Sequence, residues 1–138
     1  MDDCLKILKD HKFKITPKRK AVIELFLTSR KCLKPYDVYK AVRKRLDSLG
    51  LPTIYRILDE FCRIGIIKRL QSDDGQLVYA FCSSQKKHSH YFVCLNCNKV
   101  QEVSVCNING ISRYIEKNLG AKVESHQLQL EGICSECK

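Results

Sequence analysis

Two CxxC motifs constrain the fold of this chain more than any other feature: Cys94 with Cys97, and Cys134 with Cys137. Each CxxC motif forms a turn that directs two thiolates to one point, and two such turns supply the tetrahedral shell of a structural zinc site. Because residues 98–133 separate the inner cysteines, a shared ion must tie the C-terminal end back to the middle of the chain. Structural zinc contributes roughly 10–16 kcal/mol, enough to hold a fold whose own core is small.

The rival interpretation of the first motif is a redox pair of the thioredoxin type, which needs a βαβ setting that this sequence lacks. Nine cysteines without an export signal disfavour a disulfide framework and favour metal binding. No apolar run approaches the ~18 residues of a membrane span. We therefore expect a cytoplasmic protein with neither a membrane nor a small-molecule substrate as its partner.

Positive charge is confined to the first half of the chain. Residues 1–70 hold 18 Lys and Arg against 8 Asp and Glu, whereas residues 71–138 hold 7 of each class. The net charge of +10 therefore lies entirely in the first half, which indicates that this half meets a polyanion. The simpler alternative is a basic domain whose charges are only solvated.

Helical periodicity and breaker residues organise the first half. Thr16 and Pro17 form a helix start signal, so residues 18–29 are predicted to be helical, and Pro35 begins a second periodic run. A third helix is predicted to end at Gly65. The apolar faces of these helices form the predicted core: Val22, Leu25, Phe26, Val38, Val42, Leu46, Ile54, Ile57, Leu58 and Phe61.

A basic β-hairpin is predicted after the third helix, with the turn DDGQ between two strand-like runs. Three helices and such a hairpin describe a winged helix-turn-helix, which inserts its last helix into the major groove of DNA. Thr53, Tyr55 and Arg56 lie outside the apolar face, near the start of that helix, where base edges and phosphates are reached. An ordinary helical domain with solvated Arg and Lys is the alternative.

The polar residues 83–88 are predicted to link a DNA-binding domain of residues 1–82 to a second domain of residues 89–138. In the second domain we predict strands over 90–94 and 100–105, a helix over 107–119 that buries Ile108, Ile111 and Ile115, and a strand region over 121–132. A unit of about 50 residues has a small core. This half therefore needs a metal, a partner subunit, or both.

Alternating histidines indicate a second metal site. Residues two apart on a strand share a face, so His88 and His90 project together. Glu102 and His126 are the available partners, and the set predicts a regulatory site for a divalent ion. For His126, a buried and hydrogen-bonded side chain is the alternative.

The remaining cysteines have less specific signals. Cys82 closes the predicted hairpin, where a soft ligand could couple metal occupancy to the angle between the domains, so it is a further candidate regulatory ligand. Cys4, Cys62 and Cys106 have no spacing partner. Buried free cysteine behaves as a small apolar side chain, which is the expectation for Cys4 and Cys62.

Four segments together resemble the ferric uptake regulator superfamily of metal-responsive transcription regulators: TPKRKAVIELF, LPTIYRILDEFCRIGII, HSHYFVCLNCNKVQEV and GICSEC. The resemblance implies an α+β homodimer, with an N-terminal winged helix-turn-helix domain and a small α/β dimerisation domain. It implies metal-dependent binding to palindromic operators, usually as a repressor, and no enzymatic activity. It also implies that Lys14, Arg19, Tyr55 and Arg56 face DNA, and that the two CxxC motifs hold structural zinc.

The same resemblance implies two sensing sites with altered ligands. The hinge site corresponds to Cys32, Cys82, Ser89 and Tyr91, where the usual histidines and carboxylate are missing, although Glu102 matches a further acidic ligand. The second site corresponds to His88, His90, Asn109 and His126, with Asn109 in place of a carboxylate.

Zinc is the favoured sensed metal, because imidazole and thiolate ligands suit zinc and the oxygen ligands of an iron sensor are depleted. The stretch FCSSQKKHSHYFVC is also similar to zinc uptake regulators of the superfamily. An iron- or peroxide-responsive regulator of the same superfamily is the first alternative. Outside the superfamily, the alternatives are a zinc-stabilised module that binds nucleic acid or protein, and a thiol-disulfide enzyme.

Overall fold

The computed structural model describes residues 1–82 and 88–138, so most of the predicted linker lies outside the described residues. The first half contains four helices: α1 Asp2–Asp10, α2 Pro17–Ser29, α3 Pro35–Arg43 and α4 Leu51–Arg63. The Thr16 hydroxyl caps α2, because it accepts a hydrogen bond from the Arg19 backbone N–H at 3.3 Å. Gly65 follows α4 with a φ of 80°, a left-handed conformation that ends the helix without strain.

One apolar core joins the four helices. All but two of the predicted core side chains are buried in it. The exceptions, Leu25 and Leu46, are half-buried, and Leu46 lies beyond the end of α3. Helix α1 was not predicted from periodicity, and it adds Cys4 and Leu8 to this core. Since each buried apolar side chain contributes about 1.5–3 kcal/mol, this half has a substantial core of its own.

The predicted hairpin consists of β1 Ile67–Gln71 and β2 Leu77–Phe81, which pair antiparallel with Ile67 opposite Phe81. Gly75 lies in the turn between them, at a φ of 79°. Its left-handed backbone favours glycine and lets the two strands reverse within five residues. The hairpin follows α4 directly, in the position of a wing.

The second half is a three-stranded sheet with one helix. Its elements are β3 His90–Cys94, β4 Val100–Val103, α5 Asn109–Leu119 and β5 Gln129–Gly132. Strand β3 is central, antiparallel to β4 and parallel to β5. Of the strand region predicted over 121–132, only the last four residues form a strand. Among the described residues, no helix is long and apolar enough to cross a membrane.

The predicted burial of the apolar side chains of α5 is wrong for the single chain. Ile111 is 56% exposed, Ile108 and Ile115 are only half-buried, and no residue of the helix is buried. The amphipathic pattern did predict the helix, but no described element of the same chain covers its apolar residues. Tyr114 and Leu119 are also exposed, so the helix presents apolar surface outward.

A second apolar cluster joins the two halves. It packs Leu70, Val78 and Ala80 of the hairpin against Tyr91 and Val93 of β3. Two hydrogen bonds strengthen this junction. The Cys32 N–H donates to the Asn98 carbonyl at 3.1 Å, and the Gln129 side-chain amide donates to the Gln71 carbonyl at 2.6 Å.

Candidate metal centres and nucleic-acid interface

The sulfur atoms of the two CxxC motifs converge on one point. Cys94, Cys97, Cys134 and Cys137 each offer a sulfur, and these four atoms all lie within 4.8 Å of one another. Cys94 ends the central strand, and the second motif lies just after the neighbouring strand β5. The parallel pairing of β3 with β5 therefore brings the two turns together, across residues 98–133 of intervening chain.

The four-cysteine cluster fits zinc. Zn–S bonds of about 2.3 Å in a tetrahedron separate the sulfurs by about 3.8 Å, and the Cys97 and Cys134 sulfurs are 3.8 Å apart. Backbone N–H groups of Cys134 and Cys97 donate to Cys94 and lower the pKa of its thiol to about 6. The Asn96 amide lowers the pKa of Cys137, but hydrogen bonds with the Cys134 and Cys97 thiols outweigh it and raise that pKa to about 12.

The two shifts differ in cause: backbone N–H donors stabilise the Cys94 thiolate and lower its pKa, whereas neighbouring thiols of the same cluster raise the pKa of Cys137. One thiol ionises readily, and the negative charge then disfavours ionisation of its neighbours. A divalent cation removes this conflict, because it stabilises all four thiolates together. Lys99 also forms an ion pair with Glu136 at 2.5 Å, which joins the two turns at the surface.

A second donor cluster lies at the opposite end of β3. Its ligand atoms come from His88, His90, Cys106 and His126, and they too lie within 4.8 Å of one another. The Nε2 atoms of His90 and His126 are 3.3 Å apart, and the Cys106 sulfur is 3.1 Å from His126 Nε2. The structure thus brings the three predicted histidines together and adds a cysteine.

His90 is the buried member of this cluster, with 1% of its surface exposed. Burial lowers the pKa of its imidazole, and the adjacent His88 and His126 lower it further. A neutral imidazole is the form that binds metal. The ring of His88 contacts both other rings, at centroid distances of 4.5 Å from His90 and 4.3 Å from His126.

Two predicted regulatory ligands, Glu102 and Cys82, are not brought into this cluster. Glu102 pairs with Tyr91 in the sheet and accepts a hydrogen bond from the Ser89 hydroxyl at 2.6 Å. The Cys82 sulfur lies 3.2 Å from the Tyr91 hydroxyl. Since side chains alternate along β3, residues 89 and 91 face away from His90, and their partners lie on that other face.

Cys106 is the donor that sequence reasoning missed. It belongs to no CxxC motif, and it lies between β4 and α5, outside the alternating pattern of a strand. Its proximity to His126 depends on how that connection folds back toward β3. No local pattern in the sequence predicts such a contact.

The predicted DNA-facing residues cluster where α2 and α4 begin. Thr53, Arg56 and Arg19 line one groove there, and the Arg19 guanidinium donates to the Lys14 carbonyl at 2.7 Å. Tyr55 is 48% exposed on the same turn of α4. Helix N-termini carry partial positive charge, which adds to the cationic side chains and favours a phosphate backbone.

Arg19 is the least available of these residues. Its guanidinium forms an ion pair with Glu60 at 2.8 Å, with both side chains largely buried, and lies over the ring of Phe13. These contacts fix α2 against α4. Arg19 therefore orients the groove, whereas Arg56 is exposed and available to a ligand.

Comparisons with known proteins agree with this arrangement. Residues 10–131 match the sequence model of the Ferric uptake regulator family. The ferric uptake regulation protein of Yersinia pestis is 34% identical over 136 residues, which cover 97% of this chain and 90% of the relative. The structure of the ferric uptake regulator from Francisella tularensis with iron is 31% identical, with a TM-score of 0.65 over 91% of this chain and 94% of that chain.

A zinc uptake regulator complexed with zinc and DNA has a TM-score of 0.79, over 99% of this chain and 91% of that chain. Its sequence identity is 23%, so the likeness is one of fold. Together, the family match and these structures confirm the predicted α+β architecture, with a winged helix followed by a small α/β domain.

Proposed function

Because the chain belongs to the ferric uptake regulator family, we propose that it is a DNA-binding transcriptional regulator, most simply a repressor, that responds to zinc. Members of this family are metal-responsive regulators rather than enzymes, as the sequence predicts. The observation that carries the zinc assignment is the donor set at the start of β3, where imidazole and thiol groups meet with no carboxylate from the described part of the chain. Such ligands suit zinc better than they suit iron or manganese.

We assign DNA binding to residues 1–82, with α4 as the recognition helix. Thr53, Tyr55 and Arg56 occupy its N-terminal end, where a helix in the major groove contacts base edges. Lys14, whose carbonyl accepts a hydrogen bond from Arg19 of the same groove, is suited to a phosphate contact that positions the protein without reading sequence. Residues 1–70 of this domain hold 18 Lys and Arg against 8 Asp and Glu, and this positive excess supports a polyanionic partner.

We assign dimerisation to residues 89–138, with residues 83–88 as the linker. The support is the apolar surface that α5 leaves uncovered, to which Ile111, Tyr114 and Leu119 contribute. An exposed apolar surface of this kind marks an interaction site, and a second copy of the chain would cover it symmetrically. Two winged helices related by a two-fold axis would meet the half-sites of a palindromic operator.

We assign structural Zn²⁺ to the four-cysteine cluster and a second, regulatory divalent ion to His88, His90 and His126. When bound, the second ion would supply a rigid junction among these three side chains. His88 is the last residue of the assigned linker and lies two residues before β3, so fixing it fixes the direction in which the chain leaves β3 toward the winged helix. If that direction is fixed, a larger fraction of the dimers holds its two winged helices at the spacing of the operator half-sites. The apparent affinity for the operator then rises in proportion to that fraction.

The test is a mobility shift with a palindromic duplex selected from a random library in the presence of Zn²⁺. We expect a specific shift that a chelator abolishes and that Zn²⁺ restores at lower free concentration than Fe²⁺ or Mn²⁺. His126→Ala should lose the metal response. His11→Ala, a histidine exposed at the end of α1, is the matched control and should retain it.

Three outcomes would overturn parts of this proposal. Binding that is indifferent to duplex sequence and to metal would remove the regulator assignment and favour the alternative, a zinc-stabilised interaction module. A response to Fe²⁺ at lower free concentration than to Zn²⁺ would make the protein an iron sensor. Loss of the response only on treatment with hydrogen peroxide would favour a peroxide-responsive regulator.

A further inference from the structure

The histidine cluster contains a thiol that the proposed regulatory site does not yet use. We propose that Cys106 is the fourth ligand of that site, which makes it a three-histidine, one-thiolate centre for Zn²⁺ and similar tetrahedral cations. This inference rests on the proposed function only in taking the histidine cluster as a metal site. It assigns a ligand, and with it a selectivity, to that site.

Distances within the cluster support four-coordination. A tetrahedral zinc ion with Zn–N bonds near 2.0–2.1 Å and a Zn–S bond near 2.3 Å sets N···N separations of about 3.3 Å and N···S separations of about 3.6 Å. The 3.3 Å between the His90 and His126 Nε2 atoms matches this shell. The Cys106 sulfur is 3.1 Å from His126 Nε2, somewhat closer than in the shell, so a small outward shift of the exposed thiol would complete it. The donor atoms of all four side chains lie within 4.8 Å of one another.

Charge balance gives the thiol a specific role. Three neutral imidazoles bring no negative charge to a divalent ion, and Asn109, nearby in sequence, carries a neutral amide. The Glu102 carboxylate lies on the opposite face of the sheet, where it accepts a hydrogen bond from the Ser89 hydroxyl. Within the described residues of this cluster, the anionic ligand available is therefore the Cys106 thiolate.

The thiolate determines which ions the site prefers. Sulfur ligands favour Zn²⁺ and Co²⁺ over Mn²⁺, which prefers oxygen ligands. The site is open to solvent on one side, because Cys106 and His88 are exposed whereas His90 is buried. An ion can thus reach the two exposed donors first and then engage the two deeper histidines.

The test uses Co²⁺ as a spectroscopic probe of the full chain. Zinc is kept in the four-cysteine cluster, the second site is emptied with a mild chelator, and Co²⁺ is titrated in. We expect visible bands of tetrahedral cobalt together with a near-ultraviolet sulfur-to-cobalt charge-transfer band. Zinc content is measured throughout, so that cobalt in the four-cysteine cluster is recognised by zinc release.

Cys106→Ser should lose the charge-transfer band and bind Co²⁺ more weakly, by more than the roughly 10- to 100-fold that loss of an outer-shell partner costs. Cys106→Asp restores a negative charge with oxygen, and should recover affinity without the band while shifting preference toward Mn²⁺. Cys62→Ser, at a half-buried thiol of α4, is the matched control and should behave as wild type.

A wild-type spectrum without the charge-transfer band, or a Cys106→Ser spectrum that retains it, would overturn the assignment. The cobalt experiment can support Cys106 as a ligand even if the proposed regulation of DNA binding fails. A chain that shows the band but binds DNA without regard to metal would keep Cys106 as a ligand and lose only the proposed regulation.

Discussion

The Tyr91 hydroxyl lies 3.2 Å from the sulfur of Cys82, and this contact joins β3 to the end of the wing. Burial raises the pKa of the tyrosine, so its hydroxyl stays protonated at neutral pH. Tyr91 is 2% exposed and packs in the apolar cluster between the two halves. The relative position of the halves is therefore stabilised by packing and hydrogen bonding at positions where the family resemblance implies a metal.

Replacing Tyr91 separates these two contributions. Tyr91→Phe removes the hydroxyl contact and should lower the free energy of unfolding by about 1 kcal/mol. Tyr91→Ala also removes the ring and should cost about 3 kcal/mol, because it leaves a cavity between the halves. Chemical denaturation of both variants under the same metal conditions measures the difference. Equal losses would show that the ring contributes nothing beyond its hydroxyl.

Cys97→Ser should abolish zinc binding at the four-cysteine cluster. The second half has a small core, so loss of the ion should lower its thermal stability sharply and weaken the dimer. Metal analysis should show one zinc fewer per chain, and analytical ultracentrifugation should show more monomer. Cys62→Ser serves as the control. Retention of both zinc and dimer by Cys97→Ser would contradict the four-thiolate assignment.

Arg56→Ala should weaken specific DNA binding while zinc content and dimerisation stay unchanged. Loss of a base contact costs about 1–3 kcal/mol, which corresponds to roughly a 5- to 150-fold loss of affinity. Fluorescence anisotropy with the selected duplex measures this loss. Lys122→Ala removes an exposed cation from the second half and should have little effect. An unchanged affinity for Arg56→Ala would mean that α4 is not the recognition helix.

Glu60→Gln should destabilise the first half by about 2 kcal/mol, because it leaves the Arg19 guanidinium largely buried without its anionic partner. Glu24→Gln is the matched control. Glu24 pairs with Arg45 at 3.1 Å, but both side chains are about half exposed or more, so its loss should cost at most about 0.5 kcal/mol. Urea denaturation compares the two variants. Similar costs would show that burial does not strengthen the Arg19 pair.

Alkylation should distinguish the cysteines by burial. Desolvation raises the pKa of both Cys32 and Cys62 to about 11, so near pH 8 only about one thiol in a thousand is ionised at either position. Because the thiolate is the reactive form, their modification by iodoacetamide should accelerate about tenfold per pH unit between pH 7 and 10. Mass spectrometry of peptides measures each site, with denatured protein as the fully reactive reference. Rapid labelling of Cys62 in the folded chain at neutral pH would contradict the burial.

Much of the fold was predictable because its signals are local. Thr16 and Pro17 start α2, Gly65 ends α4, and the apolar periodicity identified a core that the structure confirms. The exposure of the apolar face of α5 was not predictable in the same way. An amphipathic pattern shows that a helix has an apolar face, but it does not tell whether the same chain or another covers that face.

For the metal centres, the cysteine spacing alone predicts the four-cysteine set, because two CxxC turns supply the four thiolates of a tetrahedral zinc site. Alternation along β3 likewise placed His88 and His90 on one face. Which distant residues join these two histidines depends on how the chain packs. Parallel pairing of β3 with β5 and the fold of the preceding connections bring Cys106 and His126 to the histidines, whereas Glu102 and Cys82 lie among contacts on the other face. Spacing encodes contacts within a turn or strand, and contacts between distant segments arise only when the chain packs.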